Sequence, residues 1–358
     1  MMHPPTGPKV AMVERQLLTA GQNALAQQVQ REFEEPRLAK TLDARAELIH
    51  DRHWQAALLG PLLELLERRG KCFRSQLVQI AYDLARNGSA PAMPAQLPLL
   101  VEALHAGSLI VDDIEDDSKA RRGEAALHVL VGLPLALNAG NWLYFMPHRL
   151  LEELGLEAGV ELELRRAIDR SVLRCHYGQA LDLGVRLGSL AQREVFGLVS
   201  LSTRLKTGSL LELAAEVGAV AGGAEPALRA ALSTFARRYG VALQMLDDAS
   251  GLYKPGRAQK GHEDLLNGCP TWPWAWLAER LDQVSYSRLQ HQARDVVRRE
   301  LEPEALSASM RRQLGDYPRE HIQRELSNAL EELEKQVEDR DRLQPLADEI
   351  ARLVGAYG

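Results

Sequence analysis

Cysteine is scarce in this chain of 358 residues: only Cys72, Cys175 and Cys269 occur, far apart and odd in number. That excludes a disulfide framework and a CxxC metal site, and it suits a reducing compartment, so a cytoplasmic protein is the expectation. Aromatic residues make up just 5%, and no run alternates apolar and polar residues with the period of two that marks a half-buried strand. Both point away from β-structure. Positive charge is nowhere gathered into a run or stripe, the formal net charge is -6, and no nucleic-acid motif is visible, so DNA and RNA are excluded as expected partners. Long apolar runs are also missing. The longest are interrupted by His105 or Asn138 and fall short of the ~18 residues needed to span a bilayer. Met1 to Lys9 is Pro-rich and lacks the cationic and apolar regions of a signal peptide, so no leader is expected there.

What the chain does have is Ala, Leu, Glu and Arg in abundance, a composition that favours helices. Apolar residues recur at helical spacing in Leu58, Leu59, Leu62, Leu65 and Leu66, in Leu77, Ile80 and Leu84, and in Leu210, Leu211, Leu213, Val217 and Val220. The expected fold is all-α. Breaks are expected at Gly60-Pro61, Asn87-Gly88, Pro91 to Pro98, Gly132-Leu133-Pro134, Gly155 to Gly159, Gly222-Gly223, Pro255-Gly256 and Pro270 to Pro273. None is long enough to separate two domains. A single helical domain over 46–358 is therefore expected, after an extension over 1–45 with one amphipathic helix (Val10 to Glu35) and a disordered tail.

One stretch stands apart. Asp112-Asp113-Ile114-Glu115-Asp116-Asp117 holds five carboxylates in six residues, directly after the apolar run from Leu99 to Val111. Asp112 and Asp116 stand four apart, so on a helix their Cβ atoms lie ~5–6 Å from each other on one face. Mg²⁺ prefers such carboxylate oxygens together with phosphate oxygens and retained water. An exposed acidic helix end is the bland alternative, but carboxylates at a helix C-terminus oppose the macrodipole. Asp247-Asp248 repeats the pattern after the apolar stretch from Tyr239 to Leu246. Two acidic pairs, each closing an apolar helix, suggest facing walls of one metal–diphosphate site. Lys71 and Arg74 lie three apart, and Arg121, Arg122 and Lys206 add further cations. Singly each reads as a surface charge; together with the acidic pairs they suit two diphosphates, one held through metal and one directly.

Taken in order, these residues resemble the trans-isoprenyl diphosphate synthase (polyprenyl synthetase) family. The resemblance rests on Gly70-Lys71-x-x-Arg74, His105 seven before Asp112, and Asp112 to Asp116 with Arg121-Arg122-Gly123. It continues through Gly178-Gln179-x-x-Asp182, Lys206-Thr207-Gly208, Gln244-x-x-Asp247-Asp248 and Asp264-Leu265-x-x-Gly268-x-x-Thr271-x-Pro273. Ser75 after the arginine, Ser118 to Arg122, and Asn138-Ala139-Gly140-Asn141 with Tyr144-Phe145 are most similar to the eukaryotic geranylgeranyl diphosphate synthase branch.

The resemblance implies a helical bundle around a central elongated cavity and head-to-tail condensation of isopentenyl diphosphate with an allylic diphosphate (dimethylallyl, geranyl or farnesyl). It implies three Mg²⁺ ions per active site, with Asp112 and Asp116 holding two of them and Asp247 the third, Asp113 and Asp248 supporting. Arg121, Lys206, Thr207 and Gln244 are expected at the allylic substrate, with Lys206 counted among the catalytic residues. Lys71, Arg74, His105 and Arg122 are expected at isopentenyl diphosphate, and Lys260 at a diphosphate. A homodimer or larger homo-oligomer follows from the family.

Product length is expected to be set near Ser108 and Gly107, four and five before Asp112 and ~6–7.5 Å back along the helix. In the family an aromatic residue there stops the chain at farnesyl, whereas two small residues leave the tunnel open, which points to geranylgeranyl diphosphate. Leu104 and Val101, or Trp142 and Phe145, are candidates for the floor, with ordinary core as an equal reading. Rival readings are a diverged member making farnesyl or longer products or performing a prenyl transfer or cyclisation, and a non-catalytic subunit of a heteromeric synthase. The last fits poorly with two intact aspartate pairs.

Three departures from the family pattern stand out. Gly251 fills the fifth position of the second aspartate motif, as the eukaryotic branch also lacks an aspartate there. Lys260 lies four rather than five before Asp264, and Cys269 replaces a lysine, so this shortened loop is expected to weaken or redirect diphosphate binding. Trp272, Trp274 and Trp276 offer a surface for peripheral membrane contact, because indoles favour interfaces; a packed loop is the stronger expectation.

Overall fold

A computed structural model describes residues 24–43, 51–68, 73–86 and 92–357. It is helical almost throughout, as the composition predicts, and the only strands among the described residues are two of two residues each. No described helix is long and apolar enough to cross a membrane. The chain forms two compact units, residues 1–79 with 92–165, and residues 80–91 with 166–358.

In the first unit, part of the expected Val10 to Glu35 helix lies outside the described residues; the described part is helical over 24–32. It buries Leu25, Ala26 and Val29. Glu32, only 7% exposed, accepts from Arg37 at 2.7 Å and from Arg149 at 3.2 Å. Removing either guanidinium would leave a buried carboxylate underpaired, so these pairs fasten the segment to the Leu133–Leu154 helix. Phe33 packs on Trp54 and Trp142, with ring centroids 6.2 and 5.8 Å apart.

The break expected at Gly60-Pro61 does not occur. An α-helical turn at Asp51–Trp54, a π-helical turn at Gln55–Leu59 and the helix Gly60–Leu66 follow one another without interruption. Pro61 lacks an N–H, and its ring would collide with the carbonyl four residues back in a regular α-helix. The wider π turn accommodates it, with the Gly60 N–H donating to the Gln55 carbonyl.

The Leu99–Glu115 helix packs along Leu133–Leu154 at very short range. A Cβ on Gly107 would come within 2.8 Å of the Gly140 carbonyl oxygen, and one on Gly140 within 3.1 Å of Val111. These glycines let the backbones touch. After the acidic block, Ala120–Arg121 pairs antiparallel with Glu124–Ala125. The two-residue turn has positive φ at both positions, 56° at Arg122 and 85° at Gly123, the geometry that matches the twist of a tight hairpin.

In the second unit the nearly all-apolar helix Ser209–Gly222 is the core element, burying Leu211, Ala214, Ala215, Val217 and Ala219 completely. Beside it runs Pro226–Tyr253, followed by a 3₁₀ turn at Pro255–Arg257 and the helix Ala258–Leu266. The tryptophan cluster is not a membrane face. Trp272, Trp274 and Trp276 lie on the Trp272–Arg280 helix at 1%, 1% and 0% exposure. The indole N–H of Trp272 donates to Thr203 at 3.1 Å and that of Trp276 to His321 at 2.8 Å. Buried indoles need such partners for their N–H groups.

Candidate active site

The predicted residues fall into two clusters, one in each unit. In the first, the Leu99–Glu115 helix carries Asp112, and the Asp116 N–H still donates to the Asp112 carbonyl at 2.9 Å. Helical geometry therefore persists through Asp116, and the two carboxylates share one face. Asp113 turns inward and is 2% exposed. Arg121 grips it with Nε at 2.8 Å and with Nη2 closer still, while the same Nη2 lies 3.5 Å from Asp112. Burial raises the Asp113 carboxyl, and Arg121 opposes that rise. Asp113 thus aims Arg121, while Asp112 and Asp116 are less buried than Asp113.

The arginine hairpin is clasped by a residue that sequence reasoning missed. Arg68, 6% exposed, donates to the Arg121 carbonyl at 3.2 Å, and Arg122 donates back to the Arg68 carbonyl at 2.9 Å. Glu64 holds the Arg68 guanidinium at 3.2 Å. The only signal in the sequence was its place in the cationic run Arg68-Arg69-Gly70-Lys71. Gly70 and Lys71 lie outside the described residues.

Arg74 stands at the start of the Phe73–Arg86 helix. Next to it, Ser75 donates its hydroxyl to Glu102 at 2.8 Å, and its backbone N–H at 3.2 Å, pinning this helix start to Leu99–Glu115. His105 sits within the electrostatic reach of Arg74, Arg122 and Arg121; burial first, then those three charges, push its pKa well down. A neutral imidazole among three guanidiniums describes a place built for an anion.

The chain-length residues divide. Gly107 does not open onto free space: it is the point where two helix backbones meet, so a side chain there would strike Gly140 and Leu143 instead of shortening a tunnel. Ser108 is half-buried and its hydroxyl donates to the His105 carbonyl at 2.9 Å. Leu104 and Val101 are buried at 3% and 0%. Trp142 packs on Phe33, and Phe145 is 72% exposed.

The second cluster gathers Lys206, Thr207, Gln244, Asp247, Asp248 and Lys260. Lys206 and Thr207 lie on the π-helical turn Arg204–Gly208. Gly178 permits the Ala158–Gly184 helix to pass there, since a Cβ would lie 2.6 Å from the Lys206 nitrogen. Lys206 then reaches Asp182 at 2.8 Å. Thr207 donates to Gln244 at 3.0 Å, and the Gln244 amide donates to Asp248 at 2.8 Å. The Trp272 backbone N–H takes the other Asp248 oxygen at 3.0 Å. Asp248 therefore has both oxygens committed inside the protein.

Asp247 faces two cations. Arg257 donates to Oδ1 at 2.6 Å, and Lys260 contacts Oδ2. Burial opposes ionisation of Asp247, but Lys260 and Arg257 outweigh it and hold the carboxyl below its usual range. The shortened loop brings Lys260 to the cluster through a contact between Gly251 and Gly261. A Cβ on Gly261 would lie 2.7 Å from the Gly251 carbonyl carbon and closer to its oxygen. Gly251 is thus a packing residue between the Pro226–Tyr253 and Ala258–Leu266 helices.

Two neighbouring carboxyls are displaced upward. Burial raises Asp264 to about 7, with Asp248 adding repulsion, and burial raises Asp248 to about 6 against its hydrogen bonds from Trp272 and Gln244. A carboxyl whose pKa is higher folded than unfolded contributes stability that is complete below the unfolded value, near pH 4, and is lost as pH rises through the folded one. The metal-free protein should therefore lose thermal stability between about pH 4 and pH 7 through these two groups. Asp264→Asn should flatten that part of the profile in melting curves; an unchanged slope would remove Asp264 as its source.

The donor sets suit a hard divalent cation unequally. Asp112 and Asp116 offer accessible carboxylate oxygens of the kind Mg²⁺ takes alongside substrate phosphates and water. Asp247 would share its oxygens with Arg257 and Lys260. No group of three or more His, Cys, Asp or Glu forms a ready-made cage among the described residues.

The architecture is that of the all-α isoprenoid synthases. A crystal structure of a geranylgeranyl pyrophosphate synthase matches with a TM-score of 0.74 at 19% identity, over 93% of this chain and 98% of that one. The heptaprenyl diphosphate synthase of Staphylococcus aureus matches with a TM-score of 0.72 at 20% identity, over 85% and 95%. The family model described as polyprenyl synthetase matches residues 55–304, and the chain belongs to that family. A short chain isoprenyl diphosphate synthase of Methanothermobacter thermautotrophicus is 35% identical over 53% of this chain and 57% of its own length. A geranylgeranyl pyrophosphate synthase of Zymoseptoria tritici is 33% identical over 61% and 64%. The chain thus spans somewhat more than half the length of these curated relatives.

Proposed function

We propose that this protein is a Mg²⁺-dependent prenyltransferase that joins isopentenyl diphosphate head to tail to an allylic diphosphate, with geranylgeranyl diphosphate as product. The observation that carries this reading is that each aspartate motif sits in its own built cluster, with cationic partners, in a polyprenyl synthetase chain.

Asp112 and Asp116 would hold two Mg²⁺ ions and Asp247 a third, and the chemistry the metal would supply is neutralisation of the leaving diphosphate's charge. Arg121, Lys206, Thr207 and Gln244 face the allylic diphosphate. Arg121 is oriented for that task by Asp113, and Gln244 by Thr207 and Asp248. Arg74, His105, Arg122 and Lys71 take isopentenyl diphosphate, and Lys260 serves a diphosphate near Asp247. The chain's contribution is charge placement ahead of reaction, positioning of the attacking double bond, and exclusion of water from the allylic cation. A homodimer is the proposed working state; Leu173 and Tyr177, one helical turn apart and 58% and 65% exposed, are residues such an assembly would cover.

The test supplies purified protein with Mg²⁺, isopentenyl diphosphate and dimethylallyl, geranyl or farnesyl diphosphate in turn, and resolves the products by length. Condensation ending at twenty carbons supports the reading. Failure with every primer refutes it, and a shorter or longer end point refutes the product. Ser108→Tyr, one turn before Asp112, is expected to shift the main product toward farnesyl diphosphate with the fold retained. An unaltered distribution would move the length-setting residue elsewhere.

A further inference from the structure

The second cluster contains a cation that neither the family motifs nor the proposed reaction uses: Arg257. Its guanidinium takes Asp247 Oδ1 at 2.6 Å while Lys260 covers Oδ2, leaving Asp247 only 18% exposed. Both oxygens of Asp248 already accept hydrogen bonds, from Gln244 and from the Trp272 N–H. A divalent ion at Asp247 therefore competes with two cations already seated on its oxygens. Arg257 sits on the short 3₁₀ turn Pro255–Arg257, within a ten-residue return from Asp247 that the Gly251–Gly261 contact holds tight. A phosphate matches the planar pair of donors that a guanidinium displaced there would present.

We infer that Arg257 is a metal-competing counter-ion on Asp247, which makes metal binding at this cluster depend on an accompanying diphosphate. The inference rests on the reading of Asp247 as a metal ligand. The guanidinium exchanges one anion for another: carboxylate when no metal is present, phosphate oxygens when metal and diphosphate arrive together. Metal alone competes with both cations for the carboxylate. The first cluster differs, because Asp116 is exposed and Arg121 is committed chiefly to Asp113.

The experiment uses the full chain carrying Asp112→Asn and Asp116→Asn, which silences the first cluster, with Mn²⁺ as probe followed by electron paramagnetic resonance. The parent is expected to bind Mn²⁺ weakly alone and more tightly with inorganic diphosphate. Adding Arg257→Gln should raise affinity for Mn²⁺ alone about tenfold, the size expected for removing a neighbouring charge, and shrink the gain from diphosphate. Asp247→Asn on top should erase the increase. Arg257→Lys, which keeps the charge and is the milder change, should keep Mn²⁺ binding weak while losing part of the diphosphate gain. Equal Mn²⁺ affinity in the parent and Arg257→Gln, or an increase that survives Asp247→Asn, would overturn the inference. Failure of the unsubstituted chain to condense, while the Mn²⁺ shift appears, refutes the proposed function alone; a missing shift with condensation by the unsubstituted chain intact refutes this inference alone.

Discussion

Replacing Asp112 with Asn is expected to lower turnover by at least about 10²-fold, the scale on which enzymes lose rate when one electrostatic contact to the developing charge is removed. Stability should barely change. Asp112 is 22% exposed, and its contact with Arg121 at 3.5 Å is worth little across partly solvated space. Its neighbour should behave in the opposite way. Asp113 is 2% exposed and gripped twice by Arg121, so Asp113→Asn breaks a buried pair and should cost about 3–5 kcal/mol of stability. Melting curves and initial rates on both variants separate the roles. If Asp112→Asn retained near-normal rates, it would not be a metal ligand; if it unfolded the protein, it would be a structural residue.

The second large effect is expected at Gly261. Any side chain there meets the Gly251 backbone, which cannot move aside as a flexible side chain would. Gly261→Val should therefore push the Ala258–Leu266 helix away from Pro226–Tyr253, costing about 1–3 kcal/mol by overpacking. It should also withdraw Arg257 and Lys260 from Asp247, since both lie on the displaced segment. Stability and diphosphate binding should fall together. A Gly261→Val protein with the original melting temperature and the original affinity for inorganic diphosphate would show that the glycine contact does not set the geometry of this cluster.

The parts of this molecule legible in its sequence are those fixed by local periodicity. The all-α fold follows from apolar spacing of three and four, and Asp112 and Asp116 share a face because a helix puts residues four apart side by side. What escaped was decided by helix rotation and by contacts distant in the chain. Gly107 and Ser108 are adjacent in the sequence and look equivalent as small residues, yet one fills a backbone crossing and the other is half-buried beside His105. Arg68 earns no attention as one member of a basic run; only the fold brings its side chain to the Arg121 carbonyl, 53 residues away. Gly60-Pro61 reads as a break by composition, but a π turn carries the helix through it. Gly251 and the early Lys260 look like losses from a motif. The structure joins them, because the close glycine pair brings Lys260 and Arg257 back onto Asp247.

Calorimetric titration of inorganic diphosphate into the purified chain, with Mg²⁺ and again with a chelator, tests the proposed metal–diphosphate role of these carboxylates most directly. Binding should tighten at least about tenfold with Mg²⁺, and the Asp112→Asn and Asp247→Asn variants should each lose part of that increase. Equal affinity with and without the metal, or a full Mg²⁺ effect in both variants, would contradict it.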